Sequence, residues 1–349
     1  MFSRRKFGKA AVGALPLLPA AQVILTGSAA AQTPPPPAAP GGFGRGGPPP
    51  KPDSNFGGVQ IGVITYSFRQ GVAATDLVSI LTKLGINSVE IMNNHAEALA
   101  GAPAAAQGGG GGGRGRGQMT PEQQAAAQAA QQAARAELDK WRAGVSMDTY
   151  KGVRKTFDDA GIDLRILCYN LNGAVKDEEI DYSFRMAKAL GVRAITSSST
   201  VTIAKRVATF ADQYKMLWGG HGHDAIADPE QFATLESYAK IMGFSKFIGV
   251  NLDIGHFTAA GYDPISFIKE HHDRITNLHI KDRNKNPAGG GRGANVRWGD
   301  GQTAIKDVLL LLKKEKYGFP ANIEYEYQGT DSVIEVAKCL EYCRDILIA

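Results

Sequence analysis

The sequence has few cysteines and, after its first segment, no long apolar run. Only three cysteines occur, Cys168, Cys339 and Cys343, which is too few for the disulfide framework of a small secreted domain. Cys339 and Cys343 are four residues apart on an expected C-terminal helix, where packing is the favoured role and a disulfide the alternative. No later run reaches the roughly 20 apolar residues of a membrane span. We therefore expect a large globular domain with no membrane span after processing.

An excess of basic charge is also nearly absent once the first residues are set aside. The formal net charge is +5, and four of the cations (Arg4, Arg5, Lys6 and Lys9) lie in a segment without acidic residues. The rest of the chain therefore carries about +1. A chain so close to neutral gives no compositional support to nucleic acid as a partner.

The first 31 residues have the features of an export signal. Residues 3–9 read SRRKFGK, a twin-arginine pattern, and residues 10–25 are moderately apolar. Small residues at 29–31 (AAA) supply a cleavage signature. We expect residues 1–31 to be a signal peptide for the twin-arginine export machinery and the mature protein to be periplasmic. Because this route carries folded proteins, it suits a protein that acquires a metal before export.

Two segments are too biased in composition to build a core. Residues 32–58 are rich in proline and glycine and are expected to form a disordered linker. Residues 101–142 combine a Gly/Arg patch with a run of strong helix formers, in which Thr120 is a plausible N-cap and Pro121 the first helical residue. We interpret residues 101–142 as an insertion that either shapes a lid or is merely tolerated.

The remaining chain alternates between short strands and amphipathic helices. Eight β-branched or apolar runs begin near residues 59, 87, 163, 192, 214, 247, 274 and 321, and a helical pattern follows each. This count predicts a single-domain (β/α)8 TIM barrel over residues 59–349. A doubly wound open sheet is the alternative. The glycine-rich phosphate-binding turn typical of that fold is missing after the first strand.

The last four predicted strands all end in side chains that bind metals. In a barrel of this kind the active site is built at the C-terminal ends of the strands. Those ends carry His221 and His223, Asp253 and His256, His279 and Lys281, and Glu324 and Glu326. Carboxylates buried together in a barrel mouth are costly unless a cation compensates them. Imidazoles with carboxylates suit Mn, Zn, Co or Fe better than Ca, so we expect one divalent ion of that kind.

Several segments resemble the sugar phosphate isomerase/epimerase family, the xylose-isomerase-like barrels that also include endonuclease IV. They read NLDIGHFTAAGYDP, LHIKDR, WGDG and NIEYEYQG, with a weaker likeness at GVITYSFR. Family members hold one divalent metal with Glu, Asp, His and Glu from strands 5 to 8. The resemblance implies Asp253, His279 and a strand-8 glutamate as ligands, and it favours Glu324 over Glu326.

Strand 5 departs from the family pattern, because the triplet His221-Gly-His223 stands where relatives begin with a glutamate. His221 can still bind metal through a neutral nitrogen. The resemblance implies epimerase chemistry by two glutamates on opposite faces of the substrate, which remove and return a proton next to a carbonyl. Without the strand-5 glutamate, either histidine can serve as the second base, or the chemistry is one-sided.

The other candidate residues are assigned to catalysis or to the substrate. Glu324, Glu326, His223 and Lys281 are the catalytic candidates, with Lys281 binding a substrate oxygen or pairing with Asp282. Glu90, His95, His256 and Trp298 are the candidates for substrate binding, with Trp298 offering an apolar face to a sugar ring.

Three functions follow from these assignments. The first is a metal-dependent isomerase or epimerase of a sugar or sugar derivative. The second is a metal-dependent lyase or hydratase acting on 3-keto sugars or glycosides, and the third is a non-catalytic carbohydrate-binding barrel. An activity like that of endonuclease IV is disfavoured by the near-neutral charge.

Overall fold

A computed structural model describes residues 51–103 and 120–349. The predicted signal peptide (residues 1–31), most of the predicted linker and the Gly/Arg patch lie outside the described residues. Within the described part of the chain, no helix combines the length and the apolar character needed to cross a membrane.

Eight parallel strands form a closed ring. The strands are β1 (Val59–Ile64), β2 (Ser88–Met92), β3 (Asp163–Cys168), β4 (Ala194–Ser197), β5 (Leu217–His221), β6 (Ile248–Asp253), β7 (Ile275–Ile280) and β8 (Ala321–Ile323). Each strand pairs with the next along the chain, and β8 pairs with both β7 and β1. The predicted TIM barrel is therefore confirmed. The open sheet is wrong, because pairing of β8 with β1 leaves no edge strand.

Helices surround the barrel. They are α1 (Leu77–Leu84), α2 (Asn93–Leu99), α3 (Pro121–Gly144), α4 (Met147–Asp159), α5 (Asp177–Leu190), α6 (Val201–Tyr214), α7 (Leu235–Met242), α8 (Ile254–Ala259), α9 (Pro264–His271), α10 (Ile305–Glu315) and α11 (Ser332–Ile348). Gly85 and Gly191 end α1 and α5 in the left-handed conformation, as helix-ending glycines commonly do. The three cysteines are buried and unbridged.

The barrel begins earlier in the chain than the composition predicts. Residues 51–58 belong to the predicted linker, yet Asn55–Phe56 pairs antiparallel with the start of β1. Ser54 is fully buried, and its hydroxyl donates to the carbonyl of Ile61 at 2.6 Å. These hydrogen bonds order a segment that has too few apolar residues to be recognised from composition.

The insertion after β2 is attached to the barrel by ion pairs, of which those of Arg142 are the most buried and that of Arg135 with Glu179 is more exposed. Helix α3 starts at Thr120 and Pro121 with a capping box, as its sequence predicts. Near its end, Arg142 donates to Glu97 of α2 at 2.7 and 3.0 Å and to Glu179 of α5 at 2.8 Å. Most of α3 is exposed, so this buried ion pair supplies much of its attachment.

The residue directly after strand β5 is a glycine that no other residue could replace without movement. A Cβ at Gly222 would lie 1.7 Å from the Tyr238 hydroxyl oxygen. The two histidines on either side of Gly222 are therefore separated by a residue that lets the strand end pack directly against α7. His221, which precedes Gly222, is the last residue of β5.

Candidate metal centre

Four side chains from consecutive strands converge at the C-terminal end of the barrel. His221 ends β5, Asp253 ends β6, His279 lies on β7 and Glu324 follows β8. Each offers one nitrogen or oxygen atom, and these four atoms all lie within 4.8 Å of one another. All four residues are buried.

The four converging atoms lack well-formed hydrogen bonds. His221 Nε2, Asp253 Oδ2, His279 Nδ1 and Glu324 Oε2 are buried without a hydrogen bond of good geometry among the described residues, although the Lys281 ammonium lies within 2.8 Å of both carboxylate oxygens. A buried polar atom left without a partner costs free energy. Four such atoms facing one point are what a metal site requires, and two imidazoles with two carboxylates fit Mn, Zn, Co or Fe. The residues present therefore fit the divalent ion expected from the sequence.

His221 is turned toward the cluster by contacts on both sides of its ring. Its Nδ1 lies 3.4 Å from the Ser198 hydroxyl at the end of β4. Its Nε2 lies 3.4 Å from Asp253 Oδ2 and 3.8 Å from Glu324 Oε2. Burial lowers the pKa of His221 well below its usual value. The neutral ring this favours can bind metal through Nε2.

His279 lies between two carboxylates. Its Nδ1 is 3.1 Å from Glu324 Oε2, and its Nε2 is 2.8 Å from Glu90 Oε2. Burial alone would lower the pKa of His279, but Glu90 and Glu324 outweigh burial and raise the pKa to about 10. Metal binding at Nδ1 therefore has to displace a proton.

Lys281 places an ammonium beside the cluster. Its Nζ lies 2.8 Å from Asp253 Oδ2 and 2.7 Å from Glu324 Oε2, but its hydrogen bond goes to Glu326 Oε2 at 2.6 Å. A Cβ at Gly255 would lie 2.4 Å from Lys281 Cγ, so the absence of a side chain at Gly255 makes room for the lysine. Burial would lower the pKa of Lys281, but the carboxylates raise it well above its usual value.

Opposite forces act on the two ligand carboxylates. Burial raises the pKa of Asp253 to about 7, with Lys281 opposing the rise. Burial also acts to raise the pKa of Glu324, but Lys281 and His279 outweigh it and lower the pKa well below its usual value. Glu324 is thus the more readily ionised of the two.

A cavity of about 180 Å³ is lined by three of the four cluster residues, His221, His279 and Glu324. It is lined by Ile64, Tyr66, Met92, Cys168, Asn170, Ser198, His221, His223, His256, His279, Lys281, Glu324 and Glu326. His223 contributes a ring whose centroid is 5.0 Å from that of His221. Burial lowers the pKa of His223, so this imidazole is neutral near pH 7.

His256 lines the same cavity from the start of α8. Its Nδ1 contacts Arg283 and lies 3.3 Å from Asp224 Oδ1. Its Nε2 is 3.9 Å from Asp253 Oδ2. Burial, followed by the field of Lys281, lowers the pKa of His256 well below its usual value. His256 therefore lines the cavity as a neutral ring whose Nδ1 side is fixed by Arg283 and Asp224.

Three predicted substrate contacts lie away from the cavity. Glu90 is fully buried beneath His279. His95 Nδ1 is 2.9 Å from the Thr65 hydroxyl, and Trp298 packs edge-on against Tyr342 of α11 at 5.9 Å between ring centroids. Of the residues predicted to bind substrate, only His256 lines the cavity, because the others are used in packing or hydrogen bonding.

The loop that contains Trp298 donates backbone hydrogen bonds to the Asp282 carboxylate. Asp282 Oδ2 accepts hydrogen bonds from the backbone N–H of Gly299 at 2.8 Å and of Gly301 at 3.0 Å. Asp282 therefore does not form an ion pair with Lys281, so the alternative role predicted for that lysine is wrong. The W-G-D-G motif holds a loop in place and presents no apolar face to the cavity.

Tyr66, Asn170 and Ser198 line the cavity but were not identified from the sequence. Each is a polar residue just after a strand: β1, β3 and β4 respectively. Arg69 lies over the Tyr66 ring at 4.5 Å, and Asn170 Oδ1 accepts from the Ser198 N–H at 2.8 Å. Their positions just after predicted strands are the signal in the sequence that identifies them.

A family profile described as the xylose isomerase-like TIM barrel matches residues 123–343. That range exceeds half of the chain and contains all four cluster residues. The chain belongs to this family. No curated protein matches this xylose isomerase-like barrel in sequence.

Solved structures similar to this xylose isomerase-like barrel differ widely in sequence. The probable 3-DHS dehydratase AsbF from Bacillus anthracis has 14% identity and a TM-score of 0.56, and the match covers 81% of this chain and 98% of that one. A sugar phosphate isomerase/epimerase from Parabacteroides distasonis has 17% identity and a TM-score of 0.51, over 81% and 95% of the two chains. The IolI protein, solved with a zinc atom, has 15% identity and a TM-score of 0.54, over 83% and 98%. At such identities the likeness concerns the fold.

Proposed function

We propose that this protein is a divalent-metal-dependent enzyme that removes a proton next to a carbonyl of a sugar or sugar derivative, as an isomerase or epimerase does. The observation that carries the proposal is the convergence of four buried ligand atoms that lack well-formed hydrogen bonds, beside a small polar cavity. The zinc atom in the structure of IolI and the isomerase/epimerase among the similar structures support the same class.

His221, Asp253, His279 and Glu324 are the proposed ligands, and an ion held there would act as a Lewis acid toward a carbonyl oxygen. The chain's own residues supply the proton transfers. His223 is the proposed base, because a neutral imidazole facing the cavity can accept a proton near pH 7. Lys281 is the proposed stabiliser of the negative charge that develops on the substrate oxygen.

Glu326 has two proposed tasks. Its bond to Lys281 holds the ammonium beside the substrate oxygen. Its position in the cavity also suits it to pass a proton from the Lys281 ammonium to the neighbouring carbon or to the opposite face, while His223 holds the proton that was removed. A cavity of about 180 Å³ suits a single small molecule and supports the choice of one sugar unit over a polymer.

Exchange of substrate hydrogen with solvent deuterium tests the proposal. The metal-loaded protein is incubated in D₂O with a panel of free and 3-keto sugars, and deuterium next to the carbonyl is measured by mass spectrometry. We expect exchange into at least one sugar and a loss of about 100-fold or more in Lys281→Met. Lys285→Met, an exposed change on the following loop, is the control. Binding without exchange would instead indicate the non-catalytic barrel.

A lyase or hydratase is the second candidate, and one observation favours it. The two proton-handling groups are unlike, a neutral imidazole at His223 and a carboxylate bonded to Lys281 at Glu326. This suits proton removal by one group and departure of a leaving group aided by the other. The dehydratase among the similar structures supports the same direction. Elimination products in the exchange assay would favour this candidate over the isomerase.

We also propose that the protein is exported through the twin-arginine pathway. The support is the SRRKFGK motif at residues 3–9. Cell fractionation of the wild type and of a variant with Arg4 and Arg5 both changed to lysine tests this. We expect processed protein in the periplasm for the wild type and retained precursor for the variant. Processed periplasmic protein from the variant would contradict export by this route.

A further inference from the structure

Glu90 is a buried carboxylate to which the proposed chemistry gives no role. It lies on β2, with none of its surface exposed. Its Oε2 accepts from Asn277 Nδ2 at 2.9 Å and from Asn322 Nδ2 at 2.8 Å, and its Oε1 is bonded to the Thr196 hydroxyl. The fourth contact of this carboxylate is His279 Nε2 at 2.8 Å.

The partners of Glu90 come from strands on both sides of the barrel. Thr196 lies on β4, Asn277 and His279 on β7, and Asn322 on β8. Several donors fixing one carboxylate give it a single orientation, and a fully buried charge persists only when it is bonded in this way. Glu90 is therefore a rigid acceptor in the middle of the barrel.

The contact with Glu90 decides the roles of the two nitrogens of His279. An ionised carboxylate can only accept hydrogen bonds, so Nε2 has to carry the proton in that contact. Nδ1 is then the nitrogen that faces His221, Asp253 and Glu324. The Asn251 Nδ2 atom also lies 3.2 Å from Nε2. Because an amide nitrogen only donates, it forms no hydrogen bond with Nε2 once that nitrogen carries the proton.

We propose that Glu90 is a positioning residue for the metal centre: it holds the Nε2 proton of His279 and so presents Nδ1 as the ligand atom. This inference rests on the metal site of the proposed function. A carboxylate behind a ligating histidine fixes the ring orientation and raises the basicity of the ligand nitrogen. Glu90 thus acts on the ion through His279 without touching the ion or the substrate.

Glu90→Gln separates the charge of Glu90 from its shape. A glutamine can keep its carbonyl oxygen toward His279, Asn277 and Asn322 while its amide donates to Thr196. The barrel should therefore fold as before, but the carboxylate charge behind His279 is lost. The matched control is Glu97→Gln. Glu97 is a buried glutamate seven residues further along the chain that bonds Arg142 and shares no partner with Glu90.

Two measurements test the proposal. The affinity for Zn²⁺ is obtained by competition with a chelator, and we expect Glu90→Gln to lose about 10- to 100-fold while Glu97→Gln stays within about twofold of the wild type. The second is the NMR signal of the His279 Nε2–H proton in metal-free protein, labelled with ¹⁵N at histidine. A strongly downfield proton is expected in the wild type and in Glu97→Gln, with an upfield shift in Glu90→Gln.

The outcomes separate this inference from the proposed function. Wild-type protein that does not bind Zn²⁺ but shows the downfield Nε2–H signal would overturn the metal site and leave the contact between Glu90 and His279 established. Wild-type protein that binds Zn²⁺ while Glu90→Gln matches Glu97→Gln in both affinity and signal would overturn the positioning role alone.

Discussion

Lys281 and Asp282 are adjacent in the chain, and their side chains take part in different interactions. Lys281 reaches the ligand carboxylates and bonds Glu326. Asp282 accepts backbone hydrogen bonds from the loop of Gly299 and Gly301. Because successive side chains of an extended chain point to opposite sides, the adjacent residues Lys281 and Asp282 reach the site and the loop beside it, respectively.

At the residue scale, metal affinity should depend on pH in a defined direction. His279, with a pKa of about 10, holds a proton near neutral pH that metal binding displaces. Asp253, with a pKa of about 7, adds a second competing proton below that pH. Affinity should therefore rise with pH, by up to about tenfold per unit for each proton released. Competition titrations with Zn²⁺ between about pH 6 and about pH 9 measure this.

The pH profile has a direct control. Glu335→Gln changes a buried glutamate that is bonded to Tyr327 and Lys338 and is not a proposed ligand. This variant should keep the wild-type slope. An affinity that stays constant or falls with rising pH in the wild type would contradict the proposed proton release.

At the scale of elements, the chain that leaves strand β5 depends on close packing against α7. Gly222→Ala should destabilise the protein by about 1–3 kcal/mol, because its methyl group would overlap the Tyr238 hydroxyl. The free energy of unfolding in urea measures the loss. Gly173→Ala is the matched control, since no atom lies within 4 Å of the Cβ it would add. Equal stability of the two variants would show that β5 can shift without cost.

Helix α3 should depend on Arg142 in the same way. Replacing Arg142 with methionine leaves the buried carboxylate of Glu97 without its cation. The expected loss is about 3–5 kcal/mol in the free energy of unfolding, as for other broken buried ion pairs. Lys140→Met, an exposed change on the same helix, should cost about 0.5 kcal/mol or less. Similar losses for both variants would argue against Arg142 as the main attachment.

At the scale of the whole molecule, the metal centre joins four strands of one barrel and should stabilise all of it. An ion at about 1,000 times its dissociation constant adds about 4 kcal/mol to the free energy of unfolding. We expect Zn²⁺ to raise the Tm of the wild type and a chelator to lower it again. Asp253→Asn keeps the capping acceptor for the His256 N–H but removes a ligand charge, so its Tm should respond little to Zn²⁺.

Much of the fold and of the ligand cluster was predictable from the sequence. The period of strands and helices gives the barrel, and the polar residues that end β5 to β8 become neighbours once parallel strands close into a ring. The sequence places Glu90 on β2 but does not show which residues it contacts. Its partners on β4, β7 and β8 depend on how the strands pair around the barrel, so its assignment to substrate binding was wrong. The assignment of Trp298 to substrate binding was wrong because a loop sequence has no regular period that indicates which way its side chains point.

The four strands that lead to the proposed ligands, β5 to β8, are the last four of the barrel along the chain, and this order has a consequence for biosynthesis. The ring closes only when β8 pairs with β1, and β8 is also the strand that carries Asn322 and leads into Glu324. A nascent chain that stops before residue 321 would contain only three of the proposed ligands, and its sheet would be open. Glu90 would also lack its hydrogen bond from Asn322. Metal uptake is therefore expected to follow translation of nearly the whole chain. The ion would then be acquired by a finished barrel rather than by a growing polypeptide.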